Sequence, residues 1–336
     1  TSVSRGLGDV YKRQLYILLI TILLLGFSCG DDDDDGIIEV PEADRTEQQV
    51  IDNDSLVSYL QSHYVDASLL SNNPTISFTE ININQLPDDG ELPNPNQNSL
   101  LIDIVETLTT TYFDVEYEYY ILKINQGGSE NSPNFSDKVR VSYEGTLMDD
   151  TVFDSSSTPV DFDLTSTIAG WGRVLPEFNL AEDFTINSDG TVTYNNPGIG
   201  IMFLPSGLGY YSAAAGSVPV YSNLIFKFKV FQSELNDHDF DNVPSHLEDI
   251  NGDYDLTNDN SDDDTFADFV DSDDDNDGTL TIDEDLEPDS DLTVDRDGDG
   301  DPTNDIGDGD PTNDDTDGDG IPNYLDPDDT ASRDDD

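Results

Sequence analysis

The sequence predicts an α+β fold: an antiparallel sheet folded over one short helix, with a small N-terminal appendage before it and an acidic tail after it. Three observations predict it. Between about Phe113 and Ser233, apolar residues recur at every second position in run after run, the period of a half-buried strand. Only "STIAGWGRVLPEFNL" in that region carries a helix start, and Pro176 keeps the helix short. After Asp237 the composition changes: more than half of the 75 acidic residues lie there, and Arg296 and Arg333 are the only basic ones.

In chain order, residues 1–28 read as a stray translated prefix followed by an export signal. Lys12 and Arg13 precede the apolar run Leu15–Phe27, which is shorter than the ~20 residues a membrane-spanning helix needs. "GFSC" then resembles a bacterial lipobox, with Ser28 as its small residue and Cys29, the only cysteine, as the residue that takes the lipid. Gly26 departs from the usual leucine. An ordinary secretory signal followed by a free thiol is the alternative. The run Asp31–Asp35 resembles the surface-export tag of lipoproteins in one group of Gram-negative bacteria. Together these features predict an outer-membrane lipoprotein of the bacterial cell envelope, held to the membrane through Cys29 and exposed at the surface.

Residues 29–45 are acidic and polar, and read as a solvated tether. Residues 46–112 read as an appendage with short helices. "DNDSLVSYLQSHYV" places Leu56, Val57, Leu60 and Tyr64 at helical spacing over 52–65, with Asp54 or Ser55 as the N-cap. A short strand is expected near Ile76–Phe78, and a second amphipathic helix over Leu100–Leu108.

The strands of residues 113–233 follow from alternation: Val115, Tyr117 and Tyr119, then Val139, Val141 and Tyr143, then "VDFDL", "GIGIMFLP" and "NLIFKFKVF" between Gly, Pro and Asn turns. "SDGTVTYNNPG" predicts a hairpin. The histidines His63, His238 and His246 all lie outside this region, so it offers no Ser-His-Asp arrangement. No Gly-rich loop ending in Lys and Ser/Thr is present for phosphate. A formal charge of −63 without clustered Lys and Arg argues against nucleic acid as a partner.

"VRVSYEGTLMDDTVFDSS", "TIAGW" and "SVPVYSNLIFKFKV" occur in that order, and together they resemble the FK506-binding-protein (FKBP) type of peptidyl-prolyl cis-trans isomerase. The resemblance implies an antiparallel sheet wrapped around one short helix, with an aromatic pocket between them that acts on X–Pro bonds without a cofactor. Carried over residue by residue, it implies Trp171 as the pocket floor and Tyr143, Phe162 and Phe226 as walls. Phe153, Ile168 and Val218 match further pocket positions, Asp154 a polar edge, and Tyr210 a hydroxyl offered to a substrate carbonyl. The implied partners are Pro-containing stretches of exported proteins. The chain departs from the family in its long stretch after Pro176, where the hairpin is expected to sit beside the pocket. It departs again in keeping a single Pro219 behind Ser217. A non-catalytic module that captures Pro-containing segments is the alternative.

Residues 234–336 carry a repeated register of acids at positions 1, 3, 5 and 12 with Asn or Gly at 6. Alternating carboxylates on a tight turn can converge on Ca²⁺, which takes six to eight oxygens. Three ligand sets are expected: Asp237, Asp239, Asp241 and Glu248; Asp273, Asp275, Asp277 and Glu284; Asp315, Asp317, Asp319 and Asp326. "GDGDPTND" occurs at 298–305 and again at 307–314. Pro288 follows Glu284 closely, so the tail resembles thrombospondin type 3 calcium repeats more than a regulatory EF-hand. Structural Ca²⁺ in the tail is thus expected. A solvated polyanion is the alternative, and a calcium-dependent structural or adhesive surface protein is a third functional class.

Overall fold

The structure, a computed structural model, describes residues 42–285 and 310–332. The apolar run Leu15–Phe27, Cys29, Asp31–Asp35, the first "GDGDPTND" and the start of the second lie outside the described residues.

Helix α1 spans Arg45–Ser62 and starts well before the expected position. Asp44 caps it, accepting from the Glu47 N–H at 3.0 Å. Its first turns bury Gln48, Gln49 and Asp52, polar residues that hide from an apolar-period reading. Gln48 Nε2 donates to Asp52 Oδ1 at 2.7 Å, and Asp52 Oδ2 accepts from both the N–H (2.8 Å) and the hydroxyl (2.5 Å) of Ser206. Burial pushes the Asp52 carboxyl up, and the Ser206 and Gln48 hydrogen bonds oppose that shift.

Strand β1 (His63–Asp66), helix α2 (Ala67–Leu70), β2 (Asn84–Gln85) and β3 (Asn98–Leu100) follow, and the strands form a small sheet in the order β2-β1-β3. Two expectations fail here. The strand near Ile76–Phe78 is instead a 3-10 turn, Phe78–Glu80, closed by a Ser77–Glu80 capping box. The helix over Leu100–Leu108 is one 3-10 turn, Leu101–Asp103, followed by strand β4, Glu106–Tyr112. "ETLTTTY" is rich in β-branched Thr, which favours a strand over a helix.

Strand β4 hairpins into β5 (Val115–Asn125) through Phe113 and Asp114, both at positive φ, so the sheet begins before the expected boundary at Phe113. With β6 (Lys138–Leu147), β7 (Val152–Asp163), β10 (Gly198–Leu204) and β11 (Leu224–Glu234) these form a six-stranded sheet, order β4-β5-β10-β11-β6-β7, every pair antiparallel. Both of its faces are covered. Helix α3 (Ala169–Val174) lies on one face, where Trp171, Val174 and Leu175 pack with Met202, Leu204, Phe226 and Phe228. Helix α1 lies on the other, where Leu56, Tyr59 and Leu60 meet Ile199, Ile201, Phe203 and Ile225. Strand β10 is buried at every residue because its alternate side chains serve two cores.

Strands β8 (Asp183–Ile186) and β9 (Val192–Asn195) form the expected hairpin. Its position differs from expectation. Tyr194 stacks on Phe231 and donates to Gln232 at 3.1 Å, which places the hairpin at the far end of β11 from Phe226. The acidic segment after β11 contains only 3-10 turns among its described residues, including Leu256–Asn258 and Asp268–Val270.

The Asp52–Ser206 contact ties the appendage to the main sheet. Asp52→Ala leaves three buried donors unpartnered, and is expected to lower unfolding free energy by about 2–4 kcal/mol in a urea titration. A loss below about 0.5 kcal/mol would show that the contact is incidental.

Candidate active site

Eight of the nine pocket residues expected from the sequence line one cavity of about 240 Å³: Tyr143, Phe153, Asp154, Phe162, Ile168, Trp171, Tyr210 and Phe226. Ser166 and Thr167 complete the lining, and the sequence reading missed both although they directly precede Ile168. Val218 does not line it. That side chain is 2% exposed and belongs to the core, while its backbone bridges to Ala215.

The elements explain how these groups converge. Tyr143 stands on β6, Phe153, Asp154 and Phe162 on β7, and Phe226 on β11. Ile168 caps α3, whose first turn carries Trp171 inward, 4% exposed. The Trp171 ring lies 5.0 Å from Phe226, 5.6 Å from Phe162 and 5.8 Å from Tyr143, and it meets the last two edge-on. Phe153 meets Phe226 edge-on at 5.4 Å. Such edge-to-face packing suits the ring quadrupoles and fixes each wall.

Two glycines permit this packing. A Cβ on Gly145 would lie 2.7 Å from the Phe153 ring and 2.8 Å from the Phe226 ring. One on Gly170 would lie 2.3 Å from Leu204, so α3 reaches the sheet only because that position is bare.

Polar groups are few. The Tyr143 hydroxyl donates to Asp154 Oδ2 at 2.6 Å, and burial together with that carboxylate pushes the phenol well above its usual range. Burial also raises Tyr210, with the Asp154 charge adding to it. The Tyr210 hydroxyl has no hydrogen-bond partner among the described residues. It stays protonated at neutral pH and is free to donate.

The acidic segment gathers three groups in which one carboxylate oxygen from each residue lies within 4.8 Å of those of the others: Asp239, Asp241, Glu248 and Asp274; Asp273, Asp275 and Asp277; Asp315, Asp317 and Asp319. The first differs from the expected set. Asp237 is absent from it, its oxygens accepting from the Phe240 and Asn242 N–H groups, and Asp274 stands in the group instead. Nothing in the repeated register marks Asp274. Glu284 and Asp326 fall outside the second and third groups. Glu284 is fully buried, and its carboxyl is pushed up to about 9 by burial and then by Asp275, Asp277 and Asp273. Burial is also the main cause that raises Glu248 to about 10 and Asp274 to about 11, with neighbouring carboxylates adding to it.

Comparison with known proteins bears on the same span. The family model for FKBP-type peptidyl-prolyl cis-trans isomerase matches residues 129–231. The chain is 31% identical over 129 residues to the FKBP-type peptidyl-prolyl cis-trans isomerase FkpA of Aeromonas hydrophila, covering 38% of this chain and 41% of that one. It is 30% identical over 111 residues to the outer membrane protein MIP of Legionella longbeachae, covering 32% and 40%. The crystal structure of FkpA from Escherichia coli aligns at 24% identity and a TM-score of 0.29, over 38% of this chain and 51% of that one. The chain thus spans less than half the length of these two curated relatives. The span that carries the aromatic cavity, residues 129–231, is an FKBP-type peptidyl-prolyl cis-trans isomerase domain.

Proposed function

We propose that the protein is a peptidyl-prolyl cis-trans isomerase that acts on X–Pro bonds of exported polypeptides at the bacterial cell envelope. The observation that carries this reading is an aromatic cavity floored by Trp171, with an unpartnered phenol, that of Tyr210, in its lining.

The chemistry suits those residues. Rotating a peptide bond meets a barrier of ~18–20 kcal/mol because planarity carries the C–N resonance. For X–Pro the two isomers differ by only ~0.5–1 kcal/mol, so exchange is slow but nearly balanced. No bond breaks, and neither nucleophile nor metal is needed. The planar amide is the more charge-separated form, so a floor and walls of aromatic rings solvate it poorly and favour the twisted form by comparison. At about 240 Å³ the cavity is below the ~300–1,000 Å³ of drug-sized pockets, and matches a single small ring. The pyrrolidine would rest on the Trp171 indole between Tyr143, Phe162 and Phe226.

Tyr143 spends its hydroxyl on Asp154, which fixes it as a wall and leaves Tyr210 as the free phenolic donor. A hydrogen bond to the rotating carbonyl would strengthen its resonance and slow the turn. The productive acceptor for Tyr210 is therefore a neighbouring carbonyl, which holds the segment while the amide swivels.

The envelope assignment rests on the lipobox-like "GFSC" and on likeness to a relative named as an outer membrane protein. Lipid chains on Cys29 anchor by hydrocarbon burial, ~0.8 kcal/mol per CH₂. The acidic extension is read as a Ca²⁺-organised structural region, supported by its grouped carboxylates. A purely structural or adhesive role is the second reading, favoured by those same groups. Isomerase catalysis without Ca²⁺ dependence at the cavity separates the two.

Proline-limited refolding of a model protein tests the main reading. Catalytic amounts of the chain are expected to accelerate the slow phase, and an unchanged rate removes the enzyme claim. Tyr210→Phe is expected to lower kcat/KM about tenfold, one hydrogen bond's worth. Gly145→Ala forces the Phe153 and Phe226 rings apart, and is expected to cost at least about tenfold while leaving the far-ultraviolet circular dichroism unchanged. In cells, Cys29→Ser is expected to move the protein from the detergent phase to the aqueous phase; continued partition into detergent would rule out the anchor.

A further inference from the structure

The first carboxylate group is chemically incomplete as it stands. Glu248 is 0% exposed and Asp274 1%, and neither has a hydrogen-bond partner on either carboxylate oxygen. Both oxygens of Asp239 and the Oδ2 of Asp241 are likewise buried without a partner. Buried charges without partners or protons are among the costliest arrangements in a protein. One oxygen from each of the four residues lies within 4.8 Å of the other three, and carboxylates that bind through both oxygens can bring such a set to the six to eight that Ca²⁺ takes, while the all-oxygen donors disfavour softer metals.

The ligands come from two segments. Asp239, Asp241 and Glu248 follow β11 directly, whereas Asp274 lies further on, past the 3-10 turn Asp268–Val270. The chain between Glu248 and Asp274 presses on the back of α3. Arg173 donates to the carbonyls of Tyr254 (3.0 Å) and Asp253 (3.3 Å), and its guanidinium lies 5.5 Å from the Tyr254 ring centre. Tyr254 also meets Phe135 edge-on at 5.0 Å. Residues 254–257 and Phe269 wall a second cavity of about 440 Å³, which shares Ser166 and Thr167 with the proline cavity.

We propose that Asp239, Asp241, Glu248 and Asp274 form a buried Ca²⁺ site that clips the 248–274 loop shut and seats it on the back of α3. Its cation closes the loop as a metal clip does, by removing the entropy of the open chain. The second cavity is then complete only in the cation-bound protein. The site rests on the calcium reading of the extension but not on isomerase activity, and its four ligands are distinct from the groups Asp273, Asp275 and Asp277, and Asp315, Asp317 and Asp319.

The full chain, stripped with chelator and titrated with Ca²⁺ by calorimetry, tests it. Glu248→Gln and Asp274→Asn are each expected to lower the stoichiometry by one ion, whereas Asp315→Asn leaves this site filled. Hydrogen exchange then reads the clip. In wild type, Ca²⁺ is expected to slow exchange over Asp253–Asn258 by about tenfold or more, and in Glu248→Gln and Asp274→Asn it does not. Replacing one of four crowded carboxylates with an amide relieves repulsion, so Trp171 fluorescence is expected to report an intact sheet domain in both variants. Unchanged stoichiometry in both variants, with Ca²⁺ still binding, overturns this site alone. No Ca²⁺ binding by wild type overturns the calcium reading as well. Loss of an ion without a change in exchange over Asp253–Asn258 overturns the clip.

Discussion

The fold depends on one constraint: a single sheet has two apolar faces, and water must be kept from both. Strand β10 shows how it is met. Met202 and Leu204 point towards α3, while Ile199, Ile201 and Phe203 point towards α1. Each such side chain buried gains roughly 1.5–3 kcal/mol, so exposing either face would exceed the ~5–15 kcal/mol margin by which domains are stable. The appendage is therefore a structural half of the domain. With the sheet held from behind by α1, the Trp171 cluster rests on a backing that cannot bend away.

The same constraint explains what could be read in advance. The strands bearing Tyr143 and Phe226 were legible because they alternate, and α3 because Trp171 and Pro176 bracket a short helical turn. The first turns of α1 were not legible. Their buried side chains are Gln48, Gln49 and Asp52, and Asp52 is satisfied by Ser206, far off in the sequence, which no local pattern encodes. Strand β4 was misread because Leu100–Leu108 has helical apolar spacing, while its Thr-rich continuation decides for sheet. Of the pocket positions implied by family resemblance, Val218 lies in the core because the turn after Ala215 directs it inward. Asp274 escaped because a repeated register identifies ligands close in sequence, whereas closure in space joins distant ones.

Electrostatics divides the molecule into two regimes. In the aromatic cavity the one carboxylate, Asp154, accepts from Tyr143, and the walls and floor are aromatic rings. In the extension, carboxylates crowd until their protons are held far above the usual range. Arg173 stands between them. It is 9% exposed, sits on α3 next to Gly172, and gives its guanidinium hydrogens to backbone carbonyls of the extension. A buried cation that finds neutral dipoles rather than a carboxylate avoids a strong ion pair while still keeping two regions together.

The depth of Trp171 has a consequence for timing. A proline ring can touch that indole only by standing proud of its own chain, since the surrounding phenyl and phenol rings leave no room for a second layer of polypeptide. Residues locked inside a finished client cannot do so. A cavity this narrow and recessed admits a proline that swings free of its own chain and excludes one packed inside a settled fold.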